Sequence, residues 1–333
     1  MSTTRNPRSG IPALCSDQTR EPLPGTARTG ARTLALEHPR GWGRDILDGE
    51  ALGAELSAQV KSWLKANRAQ LQFIRRPGRE GQKDHGSVTL FIADASTAVP
   101  VLEKMELAGP EELTQVDLST PGHTPGAEKV SDPLLLVCTH GRRDRCCAVK
   151  GRPTAAALAR KFPGLVWESS HTKGHRFAPS MILLPWNYSF GTLDADRAVD
   201  MFATVLAGEL PVEGNRGRGT LGAPGQVAEL AVAEVLRDAG RPAAPGELVV
   251  EPGPDSPQSS SAGKSGGRAA TKVVHVTRPA VPDSGGQART WSVTLESQRC
   301  YPVVSSCGDR PKEGKSWVAV SVAGDVDDNN ARR

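Results

Sequence analysis

Apolar residues recur at four-residue intervals within residues 49–70. The stripe consists of Leu52, Leu56, Val60 and Leu64. This spacing predicts an amphipathic helix, because side chains four residues apart share one helix face. Shorter apolar runs at 33–39, 71–76 and 87–94 predict strands around it. The pattern therefore predicts an N-terminal α+β unit over residues 31–125.

The most regular pattern lies in the middle of the chain, over residues 126–212. The apolar runs in "PLLLVC", "LVWESS" and "SMILLP" predict three buried strands. Periodic segments at 153–162 and 194–209 predict helices, and Pro153 stands near a first helical turn, where proline is tolerated. A series of strand, helix, strand, strand and helix is typical of a small α/β domain with a mixed sheet. It is compact enough for a thioredoxin-like arrangement.

The remaining segments are less regular. Polar residues, glycine and proline predict a flexible lead over 1–30, and a linker followed by one helix over 213–250. Low complexity predicts a disordered linker over 251–270, and strand-like runs predict a small β appendage over 271–325. The predicted fold class is α/β, α+β overall, with a central thioredoxin-like domain between an N-terminal α+β unit and a small C-terminal helix-plus-β appendage.

Composition and charge narrow the classes of function. The 333 residues include 41 basic and 37 acidic side chains, a net charge of +4, and the two signs are interspersed. Because no basic stripe carries stacking aromatic residues, nucleic-acid binding is not expected. No apolar run reaches the roughly 18 residues of a membrane helix, and the start of the chain lacks the apolar core of a signal peptide. We therefore expect a cytoplasmic protein without membrane contact.

Cysteine and histidine carry the candidate chemistry. Three of the six cysteines fall within "CTHGRRDRCCAVKG", and an H-x3-H pair follows in "SSHTKGH". Because cytosolic thiols are kept reduced, clustered cysteines favour metal binding or redox chemistry over structural disulfides. The candidate four-ligand set is Cys138, Cys147, His171 and His175. Cys146 competes with Cys147, and spacing alone does not separate the two.

Three alternatives follow from these residue types. Two cysteines and two histidines can hold a tetrahedral structural zinc ion, or a 2Fe-2S cluster in which imidazoles replace two thiolates. The third alternative is a group of core or redox-active thiols with unrelated histidines nearby. His140 is interpreted as a hydrogen-bonding neighbour rather than a ligand. The scattered Cys15, Cys300 and Cys307 are interpreted as structural thiols, although the "SSCGD" loop could lie close to the predicted site.

Two segments of the central region resemble the sucrase/ferredoxin-like family. They are "VCTHGRRDRCCAVKGRP" and "VWESSHTKGHRFAPSMILLPWNYSFGTLD". The resemblance implies a thioredoxin-like ferredoxin domain that holds a 2Fe-2S cluster through two cysteines and two histidines. On the family's pattern the ligands are Cys138, Cys147, His171 and His175. Cys146 is then a neighbour of the cluster.

The same resemblance implies electron transfer or redox sensing, with a redox protein or a reductase as the partner, and an electron carrier rather than a catalyst. Imidazole in place of thiolate lowers the negative charge on a cluster and raises its reduction potential. No carboxylate pair is placed for glycoside hydrolysis, so no sucrase activity is expected. The alternative function is a zinc-stabilised interaction protein without redox activity.

Overall fold

A computed structural model describes residues 13–39, 41–83, 86–253, 269–280 and 287–324. A large mixed sheet with helices and a second, smaller sheet make the fold α+β overall, which confirms the predicted fold class at this level. Residues 1–12 of the predicted lead and 254–268 of the predicted linker lie outside the described residues. Within the described part of the chain, no helix combines the length and apolar character needed to cross a membrane.

Within the described ranges, ten strands form the large sheet. They are β1 Arg32–Glu37, β2 Ala69–Arg75, β3 Val88–Asp94, β4 Val101–Leu107, β5 Glu128–Lys129, β6 Leu134–Cys138, β7 Val166–Ser169, β8 Met181–Leu184, β9 Tyr188–Phe190 and β10 Asn215–Arg218. Their order across the sheet is β10-β9-β8-β6-β7-β2-β1-β3-β4-β5. The helices are α1 Cys15–Gln18, α2 Ala54–Ala66, α3 Arg152–Lys161, α4 Ala195–Leu206 and α5 Ala223–Asp238.

Two parallel crossover units build the centre of the sheet. In each unit a helix connects two parallel strands, as β1–α2–β2 and as β6–α3–β7, because parallel neighbours need a long connection. The units meet where β2 pairs antiparallel with β7, with Ile74 opposite Ser169. Strands from 31–125 and from 126–212 therefore share one sheet. The unit boundaries drawn from the sequence stay a prediction.

Helix α2 confirms the apolar stripe but is shorter than the predicted span of 49–70. Val60 and Leu64 are buried against the sheet, while Leu52 and Leu56 are half-buried. The helix begins after Gly53, whose φ of 79° is not helical, and it ends before Arg68, whose φ is 49°. Both angles lie in the left-handed region that interrupts a right-handed helix.

Part of the predicted linker in 213–250 forms the sheet edge. Strand β10 carries Arg216, which is fully buried, and its guanidinium donates to the hydroxyl of Thr26 at 3.0 Å and to the Thr26 carbonyl. The Arg216 carbonyl in turn accepts from the Gly25 amide at 3.0 Å. Because these contacts are polar, the strand has no apolar alternation that a sequence pattern could detect.

The second sheet consists of β11 Val249–Pro252, β12 Thr271–Arg278, β13 Arg289–Val303 and β14 Lys312–Ala323. All neighbours are antiparallel, in the order β11-β12-β13-β14. Val276, Trp291 and Val293 of this sheet share a buried core with Val232 and Leu236 of α5. The connection between β13 and β14 carries the "SSCGD" residues toward the predicted site.

Candidate metal centre

Two parallel strands bring the first cysteine and the histidines to the same edge of the sheet. Cys138 is the last residue of β6 and lies opposite Ser169, the last residue of β7. Because β6 and β7 are parallel, their carboxyl ends coincide, and the loop after β7 carries His171 and His175 beside Cys138. The Cys138 amide also donates to the Ser180 carbonyl at 2.9 Å, which holds the end of β6 in place.

The second cysteine is placed by a tight turn at the start of α3. Cys147–Gly151 form a π-helical turn that leads directly into the helix. Gly151 passes so close to β6 that a Cβ atom there would overlap the Cys138 carbonyl oxygen. The absence of a side chain at Gly151 therefore lets the Cys147 turn pack directly against Cys138.

Three of the four predicted ligands form a compact group. The ligand atoms of Cys138, Cys147 and His171 all lie within 4.8 Å of one another. His175 is not within that limit of all three, but its ring centroid lies 4.9 Å from that of His171. Both cysteines are fully buried and both histidines are half-buried. These four residues, the first donor set, are elongated, with two sulfurs at the buried end and two imidazoles toward the surface.

A hydrogen bond joins the two sulfurs of the first donor set. The pKa of Cys138 lies well below its usual value because Cys147 donates a hydrogen bond to it and His171 adds a further favourable contact. The pKa of Cys147 is raised by that same hydrogen bond, by burial and by the negative charge on Cys138. A bound cation would replace the proton of this hydrogen bond and allow both sulfurs to be thiolates.

Each histidine of the first donor set has one ring nitrogen available. Among the described residues, the Nδ1 atoms of His171 and His175 are buried and have no hydrogen-bond partner. The other nitrogen of His175, Nε2, lies 2.9 Å from the Ser306 hydroxyl. Burial, followed by the proximity of His171, lowers the pKa of His175, which favours the neutral imidazole that a metal requires. A buried polar atom without a partner is costly, and a metal ion would satisfy it.

His140 supports the site without a free nitrogen of its own. Its Nε2 lies 2.6 Å from the Gly43 carbonyl and must donate to it, so its Nδ1 accepts the His171 amide at 3.2 Å. Burial lowers the pKa of His140, in agreement with a neutral ring. Both ring nitrogens of His140 are thus engaged, and its Nδ1 holds the His171 backbone amide. The edge of Trp42 packs against the ring at 5.6 Å.

A second donor set lies next to the first and was not predicted from the sequence. It consists of Cys15, Cys146, Cys307 and Asp144, whose ligand atoms all lie within 4.8 Å of one another. The Cys146 sulfur is 3.3 Å from the sulfurs of both Cys15 and Cys307. The only sequence signal was the "SSCGD" loop, which does lie beside the predicted site. Cys146 belongs to this second set, whereas the adjacent Cys147 belongs to the first.

Hydrogen bonds and burial shift the pKa values of the side chains in the second donor set. A hydrogen bond from the Cys15 thiol, supported by Ser16, lowers the pKa of Cys146 to about 6. The pKa of Cys307 is raised to about 11, chiefly by burial. Burial would also raise the pKa of Asp144, but hydrogen bonds from the amides of Cys307 and Cys146 outweigh it and lower that pKa. The set is therefore an anionic centre surrounded by hydrogen-bond donors.

One family profile matches this sequence. The profile, described as sucrase/ferredoxin-like, covers residues 23–217, which is more than half of the 333 residues. The chain belongs to the sucrase/ferredoxin-like family. The span shared with the sucrase/ferredoxin-like family includes the whole first donor set, whereas Cys15 and Cys307 lie outside it. No curated protein and no solved structure matches the sequence significantly.

Both donor sets of this sucrase/ferredoxin-like protein could hold a metal ion. The first offers two buried sulfurs and two imidazole nitrogens that lack partners among the described residues. Thiolate and imidazole are ligands for zinc and for iron-sulfur clusters. The residues of the first donor set therefore fit the kind of group that the sequence predicts.

Proposed function

We propose that the first donor set holds a 2Fe-2S cluster and that the protein is an electron carrier or a redox sensor. The observation that carries this proposal is the elongated arrangement of four donors, with His175 beyond a compact group of three. A single ion would need all four donors at a common distance, whereas a cluster with two irons accepts donors along its length. The Nδ1 atoms of both histidines, which have no hydrogen-bond partner among the described residues, would supply the two ligands at the outer end.

We also propose that residues 126–212 form the thioredoxin-like unit that carries the cluster. Within the large sheet, β9-β8-β6-β7 are neighbours, β6 and β7 are parallel, and β8 and β9 are antiparallel to their neighbours. Helices α3 and α4 pack on this part of the sheet around Leu158 and Phe202. The sequence pattern predicts β6, α3, β7, β8 and α4 in this chain order, and β9 is an additional strand that it did not predict.

The residues around the first donor set have separate roles in this function. Cys138 and Cys147 would hold the buried end of the cluster, and neutral imidazoles at the other end would keep its total negative charge low. A 2Fe-2S cluster, when bound, supplies one-electron redox chemistry. Ligation through Nδ1 leaves Nε2 of His175 in its hydrogen bond with Ser306, where it can gain or lose a proton with the change in charge. Asp144 lies 3.8 Å from the same Nε2 and favours its protonated form.

A positively charged cleft gives an electron partner access to the histidine end. It has a volume of about 440 Å³ and is lined by His171 together with Arg28, Arg44, Arg143 and Lys173. The four cations outnumber the single carboxylate of the lining, Asp45, and this excess of positive charge favours an acidic redox protein or reductase as the partner. If this field steers the reaction, reduction by the dithionite anion slows as the salt concentration rises. A rate independent of salt would contradict this role of the cleft.

Metal analysis of the purified full chain tests the cluster. We expect iron and acid-labile sulfide, a red-brown colour that dithionite bleaches, and a paramagnetic signal in the reduced protein. His171→Ala and His175→Ala should each remove or strongly change the visible spectrum, whereas His275→Ala, in strand β12, serves as a control and should not. A colourless protein with zinc in the first donor set and no iron would contradict the proposal and favour a zinc-stabilised interaction protein.

A further inference from the structure

We propose that the second donor set is a metal site in its own right, built to hold a single structural zinc ion. Its members come from three distant parts of the chain: Cys15 in α1, Asp144 and Cys146 before α3, and Cys307 between β13 and β14. Cys15 and Cys307 lie outside the span shared with the sucrase/ferredoxin-like family. The site is thus additional to the proposed cluster and does not depend on it.

The distances suit one tetrahedral ion. The Cys146 sulfur lies 3.3 Å from each of the other two sulfurs, and the Cys15 sulfur lies 3.9 Å from the Asp144 carboxylate. With zinc–sulfur bonds of about 2.3 Å, two sulfurs on a tetrahedral zinc are about 3.8 Å apart. The sulfurs therefore need to separate by only about 0.5 Å to admit the ion. Unlike the first donor set, all four donors lie within 4.8 Å of one another.

The surrounding hydrogen bonds are those of metal-bound thiolates and carboxylates. The Cys15 amide donates to the Cys307 sulfur at 3.5 Å, and the Ser16 hydroxyl donates to the Cys146 sulfur at 3.4 Å. Asp144 accepts from the amides of Cys146 and Cys307, both at 2.9 Å. A carboxylate has about four lone-pair sites, so it can accept both bonds and still coordinate an ion. Outer contacts of this kind fix the orientation of the ligands.

The donor chemistry selects the ion. A disulfide would join two of the three sulfurs at about 2.05 Å and leave the third unpaired, whereas an ion uses all three. Three thiolates favour zinc over calcium or magnesium, which prefer oxygen ligands. Four protein donors leave no open position for substrate, so the site is structural.

The ion would stabilise the surroundings of the first donor set. Ser306, next to Cys307, holds Nε2 of His175 at 2.9 Å. Zinc bound at Cys307 would therefore fix the loop that positions His175, and it would anchor α1 and the β13–β14 connection to the same place. Loss of this zinc should loosen both segments, whereas the cysteines of the first donor set stay on β6 and at the start of α3.

The test is the metal content of the full chain, purified after growth with iron and zinc. We expect one zinc ion per chain in the unchanged protein, and its loss in Cys307→Ser. Cys307→His, which keeps a zinc ligand, should retain zinc. Cys300→Ser is the matched control, because Cys300 lies near the same end of β13 but outside both donor sets, and Cys147→Ser should also keep the zinc.

X-ray absorption at the zinc edge of the unchanged protein gives an answer even if the variants fail to fold. The second donor set predicts three sulfurs and one oxygen around zinc, whereas the first would supply two sulfurs and two nitrogens. Zinc that remains in Cys307→Ser and disappears in Cys147→Ser would overturn the second site. A folded protein without zinc after growth with zinc would overturn it as well. Neither result depends on whether the first donor set contains iron.

Discussion

A methyl group at Gly151 should separate the two cysteines of the first donor set. The backbone of Gly151 is helical, with φ −70° and ψ −41°, so alanine is allowed there and the constraint is space alone. The added Cβ would overlap the Cys138 carbonyl oxygen, and relief of that overlap requires the turn and the end of β6 to move apart by about 1 Å. Metal–ligand distances tolerate only about 0.2 Å. Gly151→Ala should therefore lose most of its metal at the first donor set.

Overpacking of this kind costs about 1–3 kcal/mol. Replacing glycine by alanine at an unhindered helical position instead stabilises a protein by up to about 1 kcal/mol. A loss of stability in Gly151→Ala would therefore indicate the steric overlap. Gly225→Ala is the control, because Gly225 lies within α5 and an added Cβ there would meet its neighbours at ordinary contact distances of 3.4 Å or more. Urea unfolding and metal content of both variants measure the effect. If Gly151→Ala matches Gly225→Ala in stability and metal content, the close approach at Cys138 does not position Cys147.

Three further predictions concern buried charge and the surroundings of His175. Arg218→Met should destabilise the fold by about 3 kcal/mol at pH 8, because it removes the counter-charge that lies 2.8 Å from the buried carboxylate of Glu229. Arg237→Met, at an exposed position, is the control. If the two variants unfold at similar urea concentrations, the ion pair does not stabilise the fold. Burial raises the pKa of Glu229 from 4.5 to about 7. Between these pH values the folded protein keeps a proton on Glu229 that the unfolded chain has released. The contribution of Glu229 to the free energy of unfolding therefore falls as the pH rises from 4.5 to 7. Glu229→Gln should flatten the dependence of the free energy of unfolding on pH between 4.5 and 7. An unchanged slope would show that another group titrates in this range. Ser306→Ala should shift the reduction potential and leave the iron content unchanged, because it removes the hydroxyl that lies 2.9 Å from Nε2 of His175. An unchanged potential would mean that this hydrogen bond has no influence on the metal centre.

The local pattern of the sequence predicts the elements that carry the first donor set. The continuous apolar run that becomes β6 is typical of a strand buried on both faces, and the segment at 153–162 coincides closely with α3. The pattern fails at β10, which was predicted as linker. There the chain is held by hydrogen bonds of Arg216 and its backbone to residues 25–27, and such bonds leave no apolar period.

Sequence spacing by itself determined which cysteines and histidines were candidates for the first donor set, because they follow neighbouring strands. Tertiary structure alone separated Cys146 and Cys147 into different donor sets. Adjacent residues at the start of a helix point about 100° apart, so their sulfurs face different centres. It alone also assembled the second donor set, since Cys15 and Cys307 are 131 and 161 residues from Cys146. Sequence spacing predicts proximity only for ligands on the same secondary-structure element or on adjacent ones. Contacts between residues more than 100 positions apart depend instead on how distant parts of the chain pack.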